Sequence, residues 1–293
     1  MMDVVITYVD GNDPVWKKDY EKYTNVPIME KRFRDWGTLK YLLRGIEKHM
    51  PFVDNVFLVV SHPSQVPEWV DKSSVKVVLH KDYIPESLLP TFNCNPIELH
   101  FHKIEGLSEN FIYFNDDIFP VQDSAPEDFF RDGKGVLNFS RHCYAGGMFK
   151  QLCRRSDRAA RKVLSMPSSL CFIRPQHSCQ PMFKSVGALV YETLKDEIMK
   201  SMTRTRTSSN MCHYMYMDYA YYSGRMISER ISCKHFSSAV TSASRLSRFI
   251  ENPTRKFLCI NDVKLGEKKF LEMQKAVIAA FERKFPVKSR FEL

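Results

Sequence analysis

The sequence predicts an α/β fold, with a mostly parallel sheet flanked by helices and a second half richer in helix. Three observations carry that expectation. Short β-rich runs punctuate the first half at VVITYV (4–9), NVFLVVS (55–61), VKVVLH (75–80) and FIYF (111–114). Segments of helical periodicity separate them, and strand, helix, strand in that order indicates an α/β layer. Beyond residue 148 the pattern turns helical, over 148–164, 181–199, 210–222 and 266–284. No repeat, low-complexity run or Pro/Ser linker divides the 293 residues, so 1–293 reads as a single domain with a sizeable core.

Taken in order, VVITYV is a buried strand that ends in Asp10 and Gly11, followed by Asn12 and Asp13. DWGTLKYLLRGIEKH (35–49) sets Leu39, Leu42, Leu43 and Ile46 at helical spacing, with Asp35 placed to cap the helix. After the two middle strands, PIELHFHKI (96–104) is a further helix, and FIYF then ends in Asn115, Asp116 and Asp117. His177 and Arg206 fall in loops between the later helices, and Pro286 stops the last of them.

Composition narrows the classes. Hydrophobic residues at 44% and charged residues at 26% mark a globular chain, and aromatics at 13% suit a sugar or base pocket. The chain enters a strand at once, and no apolar run approaches the ~18 residues of a membrane span, so a soluble, cytoplasmic protein is expected. Eight scattered cysteines without a CxxC pair argue against a zinc knuckle or a dithiol site and favour free buried thiols. GxxxxGK[ST], GxGxxG and GxSxG are absent, which removes the case for P-loop, dinucleotide and serine-hydrolase chemistry.

The net charge of +9 implies an anionic partner: a nucleotide-sugar, an anionic glycan, a phospholipid surface or nucleic acid. Lys150, Arg154, Arg155, Arg158, Arg161 and Lys162 crowd one helical stretch, and Lys200, Arg204 and Arg206 another. Only Phe149 accompanies the first cluster, too few aromatics for a nucleic-acid face, so no nucleic-acid partner is expected. A basic face can equally hold a protein to an anionic membrane.

In open α/β sheets ligands bind at the carboxyl ends of strands. Two strands deliver acids to that edge, Asp10 from the first and the Asp116–Asp117 pair from YFNDDIF. Carboxylates packed so closely repel and call for a hard cation, Mg²⁺ or Mn²⁺, of the kind that also binds substrate phosphates. Each motif alone is also a plain turn. His100 and His102 would point to different faces of a helix, which favours a structural role over a metal pair.

At this point the chain resembles the Stealth family of sugar-1-phosphate transferases, in four ordered blocks spread over nearly its whole length. The first is VVITYVDGNDPVW (4–16). The second comprises RDWGTLKYLLRGIEKHMP, VPEWV, LPTFN, IEL and GLSENFIYFNDD (34–117). RPQHSCQP (174–181) with RTSSNM (206–211) forms the third, and FLCIND (257–262) with FPVKSRFE (285–292) the fourth.

The resemblance implies a GT-A-like, Rossmann-like core and a metal-dependent hexose-1-phosphate transfer. An acceptor hydroxyl attacks the β-phosphorus of a UDP-sugar, UMP departs, and a sugar-phosphate-glycan diester remains. It assigns Asp10, Asp35, His177 and Arg206 to catalysis, His177 as general base and Arg206 as phosphate grip. Asp116, Asp117 and Asp262 become metal ligands. Donor binding falls to Thr7, Tyr8, Val9, Gly11, Arg34, Asn115, Arg174 and Asn261.

Two positions depart from the family pattern, with Tyr8 where many members have Trp and Asn210 where an acid is frequent. The compact chain points to a bacterial capsule, exopolysaccharide or lipopolysaccharide enzyme, with a glycan or lipid-linked saccharide acceptor, at the inner face of the plasma membrane. The rival enzyme is a conventional GT-A glycosyltransferase, which would release UDP.

Overall fold

The computed structural model describes residues 1–263 and 265–293. Its main sheet has five strands in the spatial order Gln180–Phe183, Asn110–Asn115, Asp3–Thr7, Val56–Val60, Lys76–Leu79. The last four of these are mutually parallel and the Gln180 strand runs antiparallel at the edge. Val4 to Ile6, Val56 to Val60 and Phe111 to Phe114 are all buried, as strands covered on both faces must be. The sheet with its flanking helices is the α/β, GT-A-like core expected from the sequence.

Strand order fixes where a ligand can sit. From the central Asp3 strand the chain moves outward through Val56–Val60 and Lys76–Leu79, then crosses back to add Asn110–Asn115 on the opposite side. That reversal opens a crevice between the carboxyl ends of the Asp3 and Asn110 strands, where Thr7 pairs with Asn115. Only Asp116 and Asp117 then separate Asn110–Asn115 from Ile118–Pro120, which belongs to a second sheet with Phe257–Asn261 and Cys233–Ser237. The acidic pair is therefore the joint between two sheets, tied by Ile260 N–H donating to the Asp117 carbonyl at 2.9 Å.

Close backbone contacts hold the elements around this joint. A Cβ on Gly45, within the helix Leu39–His49, would lie 2.5 Å from the Pro120 carbonyl oxygen, so that helix rests directly on the joint. Gly11 donates its N–H to the Phe33 carbonyl at 2.6 Å, and a Cβ there would meet the same oxygen. The short helix Glu30–Phe33 is thereby pressed against the first strand end, over a small cluster of Trp16, Tyr20 and Phe92.

Several sequence expectations need correction. Asp35 does not cap the Leu39 helix: Thr38 occupies the cap position, and Asp35 accepts the Gly37 N–H at 2.9 Å in a turn upstream. Of 96–104 only the stretch to Leu99 belongs to an α-helix, Cys94–Leu99, and Phe101–Lys103 forms a 3₁₀ turn. Residues 181–183 are strand, because Pro181 sits on a sheet edge where its missing N–H costs nothing; helix follows as Lys184–Thr193 and Lys195–Ser201. The helix expected over 210–222 begins at Tyr214, and Ala243–Glu251 is helical although its Ser- and Arg-rich sequence hides two buried contacts, Leu246 and Ile250.

The thiols are not all free either. Strands Phe139–His142 and Phe172–Pro175 pair antiparallel, with His142 opposite Phe172, so the next residues outward meet as a Cys143–Cys171 disulfide. The remaining six cysteines are unpaired. The basic helix Gly147–Val163 spends most of its charge internally: Arg154 on the Cys143 carbonyl, Arg155 on the Ser208 carbonyl, Arg161 on Asp157 and Lys162 on Glu197. Among the described residues no helix is long and apolar enough to cross a membrane.

His100 and His102 do not point apart as an α-helix would have them: across the 3₁₀ turn their rings lie 6.3 Å from each other, both against Tyr191. His100 is buried between the Pro96 carbonyl and the Tyr191 hydroxyl, at 2.6 and 2.9 Å, while neither ring nitrogen of His102 has a partner. Burial pulls His80 down to about 3, and His100 and His102 down to about 4. All three fold neutral, whereas the unfolded chain protonates near pH 6.5. Stability that is full above pH 6.5 is therefore lost as pH falls, by up to about 1.4 kcal/mol per pH unit for each histidine. Urea denaturation should show this fall between pH 6.5 and about 4, and His102→Leu should make it shallower by one proton's slope.

Candidate active site

The crevice between the Asp3 and Asn110 strand ends is a cavity of about 430 Å³ lined by groups of both charges. Asp35, Asp116 and Asp117 line it together with Lys31, Arg32 and Arg206. Burial, then the charges of Asp117 and Asp35, push Asp116 up to about 8. Asp35 is raised by burial and by Asp10, against the opposing Gly37 N–H. The Tyr8 phenol is raised by burial and then by Asp35 and Asp10. Across the cavity, burial and the neighbouring Arg206 lower Arg32, so two guanidiniums crowd a space that an anion would relieve.

Arg206 is held in place from behind. Its Nη1 lies 3.4 Å from Cys94 Sγ, and that sulfur contact together with the Glu98 charge outweighs burial and raises Arg206 above its usual range. The loop that carries it is organised by Asn210, which is fully buried: its Oδ1 accepts from Thr207 N–H at 2.9 Å and from Asn93 Nδ2 at 3.0 Å. A neutral amide with partners on both sides does structural work that an acid could not do unpaired.

A second chamber of about 780 Å³ adjoins the first, and His177, Asn115, Arg206, Asn261 and Cys94 line both. His177 Nε2 lies 3.9 Å from Asp117 Oδ2. Burial alone would lower His177, but the neighbouring Asp117 carboxylate prevails and raises it. The floor of the second chamber is a polar relay in which Glu98 accepts from Tyr113 Oη at 2.9 Å and pairs with His213 Nδ1 at 2.6 Å. Arg174 lines this chamber rather than the first, with its guanidinium 5.5 Å from the Phe149 ring centre.

The other residues expected at the site sit in different places. Arg34 and Asp262 line the first cavity but are bound to each other through two hydrogen bonds at 2.7 and 2.6 Å. Trp36 Nε1 and Ser238 Oγ take further Asp262 positions at 3.1 and 3.4 Å, which fills the acceptor sites of that carboxylate. Asp262 thus fixes Arg34 and the Phe257 strand end, and is not free to ligate a metal, while Arg34 is not free to grip a phosphate. Asp10 spends its carboxylate on the Asn12 N–H at 2.8 Å, and its backbone is clamped by Gln65. Thr7 turns its hydroxyl to Tyr113 Oη at 3.1 Å, Val9 packs against the Trp16 cluster, and Gly11 allows the Phe33 contact; none of the three lines the cavity.

Two neighbours of His177 carried no sequence signal. Cys259 Sγ, His177 and Asp117 bring ligand atoms within 4.8 Å of one another, and His235 lies 5.8 Å from His177, ring centre to ring centre. Cys259 lies in the FLCIND block but lacks the paired spacing that marks a metal cysteine, and His235 sits on a strand remote in sequence. Burial and the Asp117 charge raise the Cys259 thiol well above its usual range, so it stands as an S–H donor to Asp117 Oδ2 at 3.6 Å. The other oxygen, Asp117 Oδ1, is buried with no partner at all. An orphaned carboxylate oxygen beside a second acid fits a hard divalent cation.

Residues 32–137 match the family model described as Stealth protein CR2, conserved region 2. Over its whole length the chain is 31% identical to the capsular polysaccharide phosphotransferase WcwK of Streptococcus pneumoniae, across 332 aligned positions covering 100% of this chain and 99% of the relative. It is 44% identical over 140 residues to the receptor polysaccharide phosphotransferase WefC of Streptococcus oralis, covering 45% of this chain and 42% of that one. With the exopolysaccharide phosphotransferase cps2G of Lactiplantibacillus plantarum it shares 42% over 135 residues, 45% of this chain and 40% of the relative.

The coupling between His177 and Asp117 is open to direct measurement. In metal-free protein, the His177 imidazole should titrate by NMR above its ordinary 6.5, because Asp117 favours the charged ring. Asp117→Asn removes that charge and leaves burial and Arg174 opposed only by the weaker pull of Glu98, so the titration should move below 6.5. An unmoved midpoint would break the assignment.

Proposed function

This chain belongs to the Stealth family of polysaccharide phosphotransferases, and from that premise we propose that it moves a sugar-1-phosphate from a UDP-sugar to a saccharide hydroxyl in bacterial surface-polysaccharide synthesis. An N-acetylhexosamine is the expected sugar. The observation that carries this reading is the position of His177, on the wall common to the two chambers and 3.9 Å from the acid pair. A base at that junction faces a phosphorus held by the acids on one side and a hydroxyl entering from the other.

The donor diphosphate spans the first cavity, gripped by Arg206 and Arg32 and facing Asp116 and Asp117. Asp117, through its unpartnered Oδ1, and Asp116 would hold Mg²⁺ or Mn²⁺ there, which supplies charge neutralisation at the transferred phosphoryl group. Tyr8 and Asn115 line the donor side. The acceptor hydroxyl reaches His177 from the second chamber, and Nε2 takes its proton as the oxygen attacks the β-phosphorus. The bond from that phosphorus to the bridging oxygen breaks, UMP leaves with the oxygen, and the sugar-phosphate-glycan diester remains. His177 then returns its proton to solvent.

Incubation with Mg²⁺, a panel of UDP-sugars and an acceptor glycan separates this reading from conventional glycosyl transfer, in which C1 is attacked and UDP leaves. UMP is the expected product, and UDP alone would overturn the mechanism. Asp117→Asn should abolish transfer with an unchanged circular dichroism spectrum. His177→Ala should lower kcat by roughly 10²–10⁴-fold, the usual contribution of a general base, with a much smaller effect on donor KM.

A further inference from the structure

Three donor groups of sulfur and nitrogen gather around one oxygen of Asp117, and strand register explains why. In the second sheet Cys259 lies abreast of Ile118 on one side and of His235 on the other. Ile118 directly follows Asp117, so the acid, the thiol and an imidazole stand in a row across three strands. His177 joins them from the loop after Phe172–Pro175, its ring centre 5.8 Å from that of His235. A packing role explains a buried cysteine on a strand. It does not explain a sulfur turned to a carboxylate oxygen beside two imidazoles.

The hard cation that suits Asp116 and Asp117 Oδ1 takes oxygen ligands and has little use for sulfur. Thiolate and imidazole are the ligands of Zn²⁺, with bonds of about 2.3 Å to sulfur and about 2.0–2.2 Å to nitrogen and oxygen. Around a tetrahedral ion those bonds set sulfur and oxygen about 3.6 Å apart, and nitrogen and oxygen about 3.3 Å apart. Cys259 Sγ stands 3.6 Å from Asp117 Oδ2 and His177 Nε2 stands 3.9 Å from the same oxygen. All three ligand atoms lie within 4.8 Å of one another, so a small turn of the His177 ring closes the triangle. Two imidazoles on one zinc have ring centres about 5 Å apart, which places the exposed His235 to take the fourth position.

We propose that Asp117 Oδ2, His177 Nε2, Cys259 Sγ and His235 form a site for Zn²⁺ or a similarly soft divalent cation, distinct from the oxygen-ligand site at Asp116 and Asp117 Oδ1, and that its occupation switches transfer off. The ion enters through the second chamber, which His177 and His235 both line. On binding, the Cys259 proton leaves to solvent and the thiolate takes its place on the metal. Bound zinc engages the Nε2 lone pair that removes the acceptor proton, so the inhibitory half of the inference rests on the phosphotransfer reading. The binding half stands apart from it.

Titration of metal-free protein with Co²⁺, a coloured substitute for Zn²⁺, reads the site without turnover. One equivalent should give a thiolate-to-cobalt charge-transfer band and the intense visible bands of tetrahedral cobalt. One equivalent of Zn²⁺ should then abolish both, even under excess Mg²⁺. Cys259→Ser should lose the charge-transfer band and weaken Zn²⁺ binding at least about tenfold. His235→Gln should keep the band but bind more weakly, and it tests the site if circular dichroism shows the serine variant misfolded. A band that survives in Cys259→Ser, affinity unchanged in His235→Gln, or cobalt bound with no sulfur band overturns the proposal. Zn²⁺ at ten times its dissociation constant should cut UMP release roughly tenfold, reversed by EDTA followed by fresh Mg²⁺. Full turnover with zinc bound overturns the inhibition. Failure to form UMP without zinc refutes the phosphotransfer reading, while the cobalt spectrum still decides the site.

Discussion

Two carboxylates on adjacent residues cannot both stay ionised in a sheltered crevice unless something positive answers them, and the rest of this site is arranged around that constraint. Asp116 and Asp117 occupy the two-residue joint where the main sheet hands the chain to the second sheet. Moving either one would break both sheets' register, so the charge cannot retreat to solvent. The protein leaves Asp117 Oδ1 without a partner, pushes Asp116 up to about 8, and places Arg206 and Arg32 in the same cavity of about 430 Å³. A proton on Asp116 and an orphaned oxygen on Asp117 are what a bound cation would replace and satisfy, and the joint between the sheets holds both acids in place for it.

The sequence revealed the main sheet because buried parallel strands are written as continuous apolar runs, and it revealed the acidic strand ends because turn residues follow such runs directly. Less was legible where the role of a residue depends on a partner distant in sequence. Asp262 looks like any strand-end acid until Arg34, 228 residues away, is seen to occupy it. Asp35 has a cap's spacing, yet the chain turns once more before the helix begins. Cys259 and His235 reach His177 from a second sheet whose strands are short and scattered, so no local spacing could announce them. The Cys143–Cys171 bond likewise follows from a strand pairing that only the tertiary structure discloses.

On the proposed reading the two chambers make His177 answer to both substrates. Its protonation is governed by Asp117, which lines the first cavity, while His177 itself lines both chambers. Neutralisation of Asp117 by whatever binds the diphosphate removes the charge that favours imidazolium, so more of the ring stands deprotonated and able to take a proton once the first cavity is filled. The geometry thereby links readiness for proton removal to the presence of something to attack.

The helix Gly147–Val163 leaves from the end of one strand of a hairpin and returns at the start of the next, with Cys143 and Cys171 joined at its neck. It is an excursion from a closed stem, and it contributes Phe149 and Leu152 to the second chamber while contributing nothing to the lining of the first. Lengthening a loop costs little in closure entropy, each doubling only about 0.6 kcal/mol. On the proposed reading, substitutions on the chamber face of this helix would alter acceptor choice while the lining of the first cavity stays as it is.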